Sequence, residues 1–223
     1  MSNTVYDCSG NGYNGTIIDT LDISSDSPRY SKCGDFNGIT NGIKIDNLQI
    51  SDILNTSCTV SFWIKPNNET GKRSVFFSSY SGISWSFEKT TSNYLRLWWN
   101  GNPDITCTSA GIIADDIWTL ITVTKNSTSD IKVYINGILK QTITTNHSNL
   151  TFPTTFRIGR DTRSNDGTPY AGLMSDFRLY ATVLSADEIK ELYQTSAKID
   201  NTRKLHTYSI VEDSTKSSSS ITR

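Results

Sequence analysis

The residues with the strongest claim to chemistry lie in one short stretch, Tyr94-Leu95-Arg96-Leu97-Trp98-Trp99. In an extended strand, successive side chains point to opposite faces. Leu95, Leu97 and Trp99 then share one face, a natural core set, while Tyr94, Arg96 and Trp98 share the other. On an open concave sheet that second set is a carbohydrate-binding candidate. Trp98 and Tyr94 offer flat faces to sugar rings, and Arg96 donates hydrogen bonds to their hydroxyls. Under a second layer or a long loop, or as ordinary exposed residues, the same three mean packing or plain surface. The residues alone leave both readings open.

Catalysis finds less material. Hydrolysis of a glycosidic bond needs two carboxyl groups flanking it, but Glu69, Glu88, Glu188, Glu191 and Glu212 are far apart and only Glu88 falls in a strand pattern. Asp115-Asp116 and Asp187-Glu188 are adjacent pairs. Neighbours on a strand or helix diverge, so these read as turn and helix-start residues. His147 and His206 are the only imidazoles, and neither has a serine or cysteine nucleophile motif beside it. No enzyme is expected. Cys8, Cys33, Cys58 and Cys107 are too widely spaced for a zinc or thioredoxin-like site. Cys58 alternates in phase with Val60, Phe62 and Ile64 and reads as a small buried apolar residue. Cys8 with Cys33 is the one pair worth testing for a bridge.

Charge and hydropathy narrow the partners. Lysine and arginine total 21 against 22 acids, for a net charge of -1. That leaves no excess to attract nucleic acid or an anionic membrane surface. No apolar run approaches the roughly 18 to 20 residues of a membrane-spanning helix. Met1 leads straight into Ser2-Asn3-Thr4 rather than into a basic and then apolar leader, so no signal peptide is expected in this chain. Asn-x-Ser/Thr triplets at Asn14, Asn68 and Asn126 arise readily in a chain rich in Ser and Thr and do not decide the compartment.

The elements that must position these residues are strands. The two-residue period recurs at Cys58 to Ile64, Val75 to Tyr80, Ile83 to Glu88, Tyr94 to Trp99, Trp118 to Lys125, Ile131 to Ile135, Phe156 to Gly159 and Ala171 to Tyr180, with Gly, Asn and Ser punctuation between. Pro66 and Asn67-Asn68 close the first of these. Short strands with polar turns predict an all-β sandwich of two antiparallel sheets. Asn136-Gly137 predicts a tight type I′ hairpin. One helix is expected from Ser185, whose hydroxyl and Glu188 form a capping box, with Ile189, Leu192 and Tyr193 as its apolar stripe. Trp63, Trp85 and Trp118 are assigned to the core. Past Ala197 the pattern weakens, rises briefly from Leu205 to Val211 and ends in Ser217-Ser-Ser-Ser. Residues 198–223 therefore read as a linker or tail after a domain of 1–197.

Several segments together resemble laminin-G-like domains of the concanavalin A-like superfamily. They are Asp7-Cys-Ser-Gly-Asn-Gly-Tyr-Asn-Gly-Thr16, Phe36-Asn-Gly38, Cys58 to Pro66, Trp118 to Thr124, Val133-Tyr-Ile-Asn-Gly137 and Met174 to Ser185, in the family's usual order. The resemblance covers about residues 5 to 196 and implies a jelly-roll sandwich with one short C-terminal helix. It also implies a strand ahead of Asp7. Only Met1 to Val5 stand there, so that strand is expected to be missing or supplied by another chain. Many such domains hold calcium near a Phe-Asp-Gly turn and a late-strand aspartate, which places a candidate ion at Asn37 and Asp176. Asn37 lacks the aspartate's charge, which Asp35 and Asp7 are near enough in sequence to replace; plain turn capping is the competing reading. The tail from Ala197 is similar to connectors of phage-tail and bacterial surface proteins. The expected function is a non-catalytic carbohydrate or host-cell-surface recognition module of such a protein, extracellular or virion-associated, touching other chains or domains of its parent. The alternative is a structural spacer or assembly domain in a virion or surface fibre with no small ligand.

Overall fold

The computed structural model describes residues 3–28, 32–46, 57–67, 74–79, 85–99, 105–107, 113–126, 130–144, 155–161, 169–194 and 205–208. For 85, 98, 99, 105 and 205–208 the description is of backbone alone. In chain order the strands are β1 (Thr4–Val5), β2 (Gly15–Ile18), β3 (Asp22–Ser24), β4 (Cys33–Asn37), β5 (Gly42–Asp46), β6 (Cys58–Pro66), β7 (Ser74–Ser79) and β8 (Trp85–Lys89). They continue as β9 (Leu95–Trp99), β10 (Ile105–Cys107), β11 (Thr119–Lys125), β12 (Asp130–Ile135), β13 (Ile138–Thr144), β14 (Thr155–Ile158) and β15 (Ala171–Tyr180). The helix α1 (Ala186–Gln194) and β16 (Leu205–Tyr208) follow.

These strands form two antiparallel sheets. Sheet A has the order β1-β2-β5-β14-β7-β8-β9-β10, and sheet B the order β13-β12-β11-β6-β15-β4-β3, with β16 also paired to β15. The inner faces meet in a core of Ile43, Ile45, Val60, Phe62, Phe77, Phe87, Leu97, Phe156 and Phe177, all at most 4% exposed. Phe62 of sheet B stacks on Phe177 at 5.5 Å between ring centroids and meets Phe77 of sheet A edge-on at 5.9 Å. Alternation along the strands fills this layer, and the lost water contact of those rings is the main force holding the sheets together. Gly159, at φ +79°, lets the backbone pass over Phe36, because a Cβ there would lie 2.3 Å from the ring.

Sheet B is buried on its outer face as well, and α1 does the covering. Ser185 and Glu188 form the expected capping box: the Ser185 amide donates to Glu188 Oε2 at 2.8 Å and the Glu188 amide donates to Ser185 Oγ at 3.3 Å. Ile189 and Leu192 are buried against Trp63, Leu120, Tyr134, Tyr180 and Leu184. Tyr193 is 40% exposed yet stacks on Trp63 at 5.7 Å. The Asn136-Gly137 hairpin also forms as its sequence predicts, with φ of 52° and 78° between Ile135 and its partner Ile138.

Several expectations change. Trp63 is buried in the core as expected, in the layer under α1, whereas Trp118 only packs against the edge of that layer. Trp118 is half-buried, with its Nε1 donating to Asp26 Oδ1 at 3.0 Å. The side chain of Trp85 lies outside the described residues. Cys8 and Cys33 are not bridged. Cys8 is exposed in the turn after β1, whereas Cys33 is buried in β4 of the other sheet, its Sγ donating to the Asp26 carbonyl at 2.9 Å. A strand does lead the Asp7 segment, although β1 has only two residues, paired to Thr16 and Gly15 of β2. Within the stretch expected to be a linker, Leu205–Tyr208 forms β16 against Phe177–Tyr180. That half of β15 lies beyond the reach of β4, which pairs only with Ala171–Met174.

Candidate functional site

The outer face of sheet A is set by strand register. Lys44 pairs with Arg157, Arg157 with Ser78, Ser78 with Ser86 and Ser86 with Trp98. All these positions alternate against the core residues Ile43, Ile158, Phe77, Phe87 and Leu97, so one row crosses five adjacent strands. At about 4.8 Å between neighbouring strands it is roughly 19 Å long. The next row along β8 and β9 pairs Glu88 with Arg96, and Thr106 of β10 stands opposite Arg96.

Arg96 and Glu88 form an ion pair. The Glu88 side chain is fully buried and that of Arg96 is 21% exposed, so the guanidinium covers the carboxylate. A buried charge survives only with such a partner. Tyr94 is half-buried at the mouth of the β8–β9 turn, where Asn93 adopts φ +62° and the Thr90 amide donates to the Tyr94 carbonyl at 2.8 Å. On this turn the buried Lys89 donates to Asn93 Oδ1 at 3.0 Å. The structure thus brings Tyr94 and Arg96 to the same end of one strand. Trp98 is in phase with Arg96 by register, its side chain lying outside the description.

The middle of the row is small and polar. Ser78 and Ser86 are 1% and 3% exposed on what is nominally the outer face, between longer neighbours. Ser78 Oγ donates to the Arg160 carbonyl at 3.0 Å. Among the described residues the buried Ser86 hydroxyl and Arg157 Nε have no hydrogen-bond partner. Arg157 reaches the Asp161 carbonyl through Nη1 at 3.3 Å, and burial, reinforced by Arg160, lowers its pKa. Buried polar atoms almost always have partners. The orphan hydroxyl and the orphan guanidinium N–H on one polar row are therefore positions where an ordered water is expected.

Sequence reasoning found one end of this row and missed Ser78, Ser86, Lys44 and Arg157. The available signal was alternation: Arg157 falls between the core residues Phe156 and Ile158, as Arg96 falls between Leu95 and Leu97. Nothing local could say that these strands are neighbours.

The calcium candidates are not assembled. Asn37 pairs with Ala171, and Asp176 lies five residues further along β15, roughly 16 Å away at about 3.3 Å per residue. Asn37 Oδ1 accepts from the amides of Ile39, Thr40 and Asn41 at 2.8, 3.0 and 3.3 Å, which is turn capping. Asp176 sits at a β-bulge with φ +51°, and its Oδ1 accepts from Arg178 Nε at 2.5 Å. A calcium ion needs six to eight oxygens converging on one point, and these two residues do not fit that demand. Among the described residues no group of three or more His, Cys, Asp or Glu is placed to hold a metal ion. No helix among them is long and apolar enough to cross a membrane.

Comparison with known proteins agrees with this architecture. Residues 37–190 match a laminin-G-type family model described as "Concanavalin A-like lectin/glucanases superfamily". No curated protein matches the chain in sequence. Among solved structures, domain 4 of an extracellular arabinanase from Geobacillus stearothermophilus, solved with arabinotriose, shares 23% identity at a TM-score of 0.69, covering 86% of this chain and 94% of that one. The binding domain of botulinum neurotoxin serotype D/C shares 19% identity at a TM-score of 0.68, covering 85% of this chain and 49% of that one. A botulinum neurotoxin type C structure, described with cell entry dependent upon two ganglioside molecules, shares 18% identity at a TM-score of 0.65, covering 86% and 50%. This chain spans about half the length of those neurotoxin structures. At such identities the likeness is one of fold.

Proposed function

The chain belongs to the concanavalin A-like lectin/glucanases superfamily, and from that footing we propose that it is a non-catalytic module that recognises a glycan on the outer face of sheet A. The carrying observation is the row Lys44–Arg157–Ser78–Ser86–Trp98. It is polar in the middle, has two buried polar atoms without partners among the described residues, and is flanked by Tyr94 and Arg96. Sugars present hydroxyls that both donate and accept, together with apolar ring faces, and this row answers with serine hydroxyls, guanidinium donors and aromatic positions. The arabinotriose and ganglioside associations of the structural neighbours support a carbohydrate or cell-surface ligand. The Glu88 carboxylate lies under Arg96, held away from the role of a hydrolytic acid or nucleophile. The module is assigned to an extracellular or virion-associated parent, such as a phage-tail or bacterial surface protein, whose other domains or chains it contacts.

A glycan-array screen of the purified protein tests this, run with calcium and again with chelator, beside Trp98→Ala and Ser86→Val. Specific binding lost in both variants is the expected result, and binding retained in both removes the assignment. A structural spacer remains the second reading, favoured by Ile138 and Leu139, 60% and 46% exposed on the edge strand β13. It predicts no glycan binding and an oligomer that forms with rising concentration.

A further inference from the structure

On the other sheet, a cavity of about 580 Å³ opens beside the start of α1, between the outer face of sheet B and the segment that follows β15. Its floor is fixed by register. Thr124 of β11 pairs with Lys132 of β12, with Tyr134 two residues further along the same face, and Thr59 of β6 stands beside Thr124 behind the floor. Its roof is Thr182, Leu184 and Ser185. Thr59 joins the two, because its hydroxyl donates to the Thr182 carbonyl at 2.8 Å and accepts from the Leu184 amide at 2.9 Å. The capping box then holds the first turn of α1. These hydrogen bonds hold floor and roof together without a ligand, which lowers the cost of ordering them on binding.

The polar groups left inside lack partners. Tyr134 is 4% exposed and Thr124 2% exposed, and among the described residues neither hydroxyl has a hydrogen-bond partner. The Lys132 ammonium likewise has no ion-pair or hydrogen-bond partner among the described residues, and its cross-strand neighbours Thr124 and Thr142 carry no charge. Glu188, the acid among the lining residues, has its Oε2 occupied by the Ser185 amide and hydroxyl at 2.8 and 2.9 Å. Burial raises the Tyr134 pKa, which keeps its phenol protonated and able to donate. The volume lies within the range of small-molecule sites, about 300 to 1,000 Å³.

We propose that this cavity binds a sugar residue bearing a carboxylate, with Lys132 Nζ facing the carboxylate and the hydroxyls of Thr124 and Tyr134 meeting ring hydroxyls. A neutral sugar leaves the ammonium unanswered, and a bare anion leaves the two hydroxyls unanswered. The site is separate from the sheet A row and stands whether or not that row binds a glycan.

The test is a titration of the whole chain by amide NMR with galacturonate, with galactose and inorganic phosphate as controls. Galacturonate is expected to shift the amides of Thr124, Lys132, Thr182 and Ser185 saturably, and galactose to bind at least about tenfold more weakly. Lys132→Met, which keeps the apolar stem, is expected to weaken galacturonate about tenfold or more, and Tyr134→Phe about three- to tenfold. Spectra of the free variants establish that each folds. Trp98→Ala is expected to bind galacturonate as the parent does, which separates a failure here from a failure on sheet A. The proposal is overturned if millimolar galacturonate leaves those amides unmoved or if Lys132→Met binds it undiminished. Phosphate matching galacturonate, with Tyr134→Phe without effect, also overturns it, by showing a bare anion site.

Discussion

The Arg96–Glu88 pair offers the sharpest test of how sheet A is built. Glu88 is wholly buried in β8, and its charge is covered by the Arg96 guanidinium directly opposite in β9. At an effective dielectric of about 20, unit charges about 4 Å apart attract by roughly 4 kcal/mol before desolvation is subtracted. Removing one partner of a buried pair costs about 3 to 5 kcal/mol. Arg96 keeps 21% of its side chain in solvent, which screens the pair and places Arg96→Met near the lower figure, about 3 kcal/mol. Glu88→Gln keeps the shape and leaves the remaining cation free to turn toward water, so its cost is smaller, about 1 to 2 kcal/mol. The double variant should then lose less than the sum of the two, with a coupling of about 1 to 2 kcal/mol. Urea unfolding followed by tryptophan fluorescence measures all four proteins, with the midpoints compared at constant slope. A loss under about 0.5 kcal/mol for Arg96→Met, or strict additivity, would refute the reasoning. Either result would mean that Glu88 is held by something other than this guanidinium.

Three further outcomes are expected. Gly159→Ala should cost about 1 to 2 kcal/mol for its left-handed backbone and about 1 to 3 more for displacing Phe36, whereas Gly12→Ala, at the same φ of +79° with nothing near its Cβ, should show only the first cost; equal melting temperatures would contradict this. Burial pushes the thiols of Cys33, Cys58 and Cys107 up to about 11, 12 and 12, so a thiol reagent at pH 8 should label only the exposed Cys8 until the chain unfolds. Hydrogen bonds from Lys65 and then Trp118 hold the Asp26 carboxyl below its ordinary pKa. The stability it contributes is complete above the ordinary carboxylate value and disappears as pH falls through the lower folded value. Titration by NMR should show that depression and its reduction in Lys65→Met, where the Trp118 hydrogen bond remains, and an Asp26 that titrates normally in the parent would remove the prediction.

Much of the architecture was legible because it rests on local rules. The alternation in Cys58 to Ile64, the φ-positive pair Asn136-Gly137 and the capping box at Ser185 each need only neighbours in sequence, and each forms as read. Even the brief apolar rise from Leu205 carried a trace of β16, although its length and polar surroundings read as a connector. The readings that changed depend on distance in space. Trp118 is flanked by apolar residues just as Trp63 is, yet only Trp63 is buried in the core under α1, while Trp118 stays half-buried beside it. Cys8 and Cys33 are compatible with a bridge by spacing alone, until the fold places Cys8 on an exposed turn and buries Cys33 in β4. Asn37 and Asp176 match a family pattern, yet the register of β4 on β15 sets them far apart.

The sequence by itself determined that this chain forms strands, that two polar-and-apolar faces result, and that Tyr94, Arg96 and Trp98 share one of them, because side-chain direction along a strand has a period of two regardless of context. Tertiary structure alone decided what stands beside those residues. Lys44, Arg157, Ser78 and Ser86 come from strands separated by up to 113 positions, and they meet only through hydrogen-bond register between strands that no local pattern specifies. The cavity at Lys132 and Tyr134 exists for the same reason: its floor is cross-strand pairing, and its roof is a segment pinned by one threonine from the middle of sheet B.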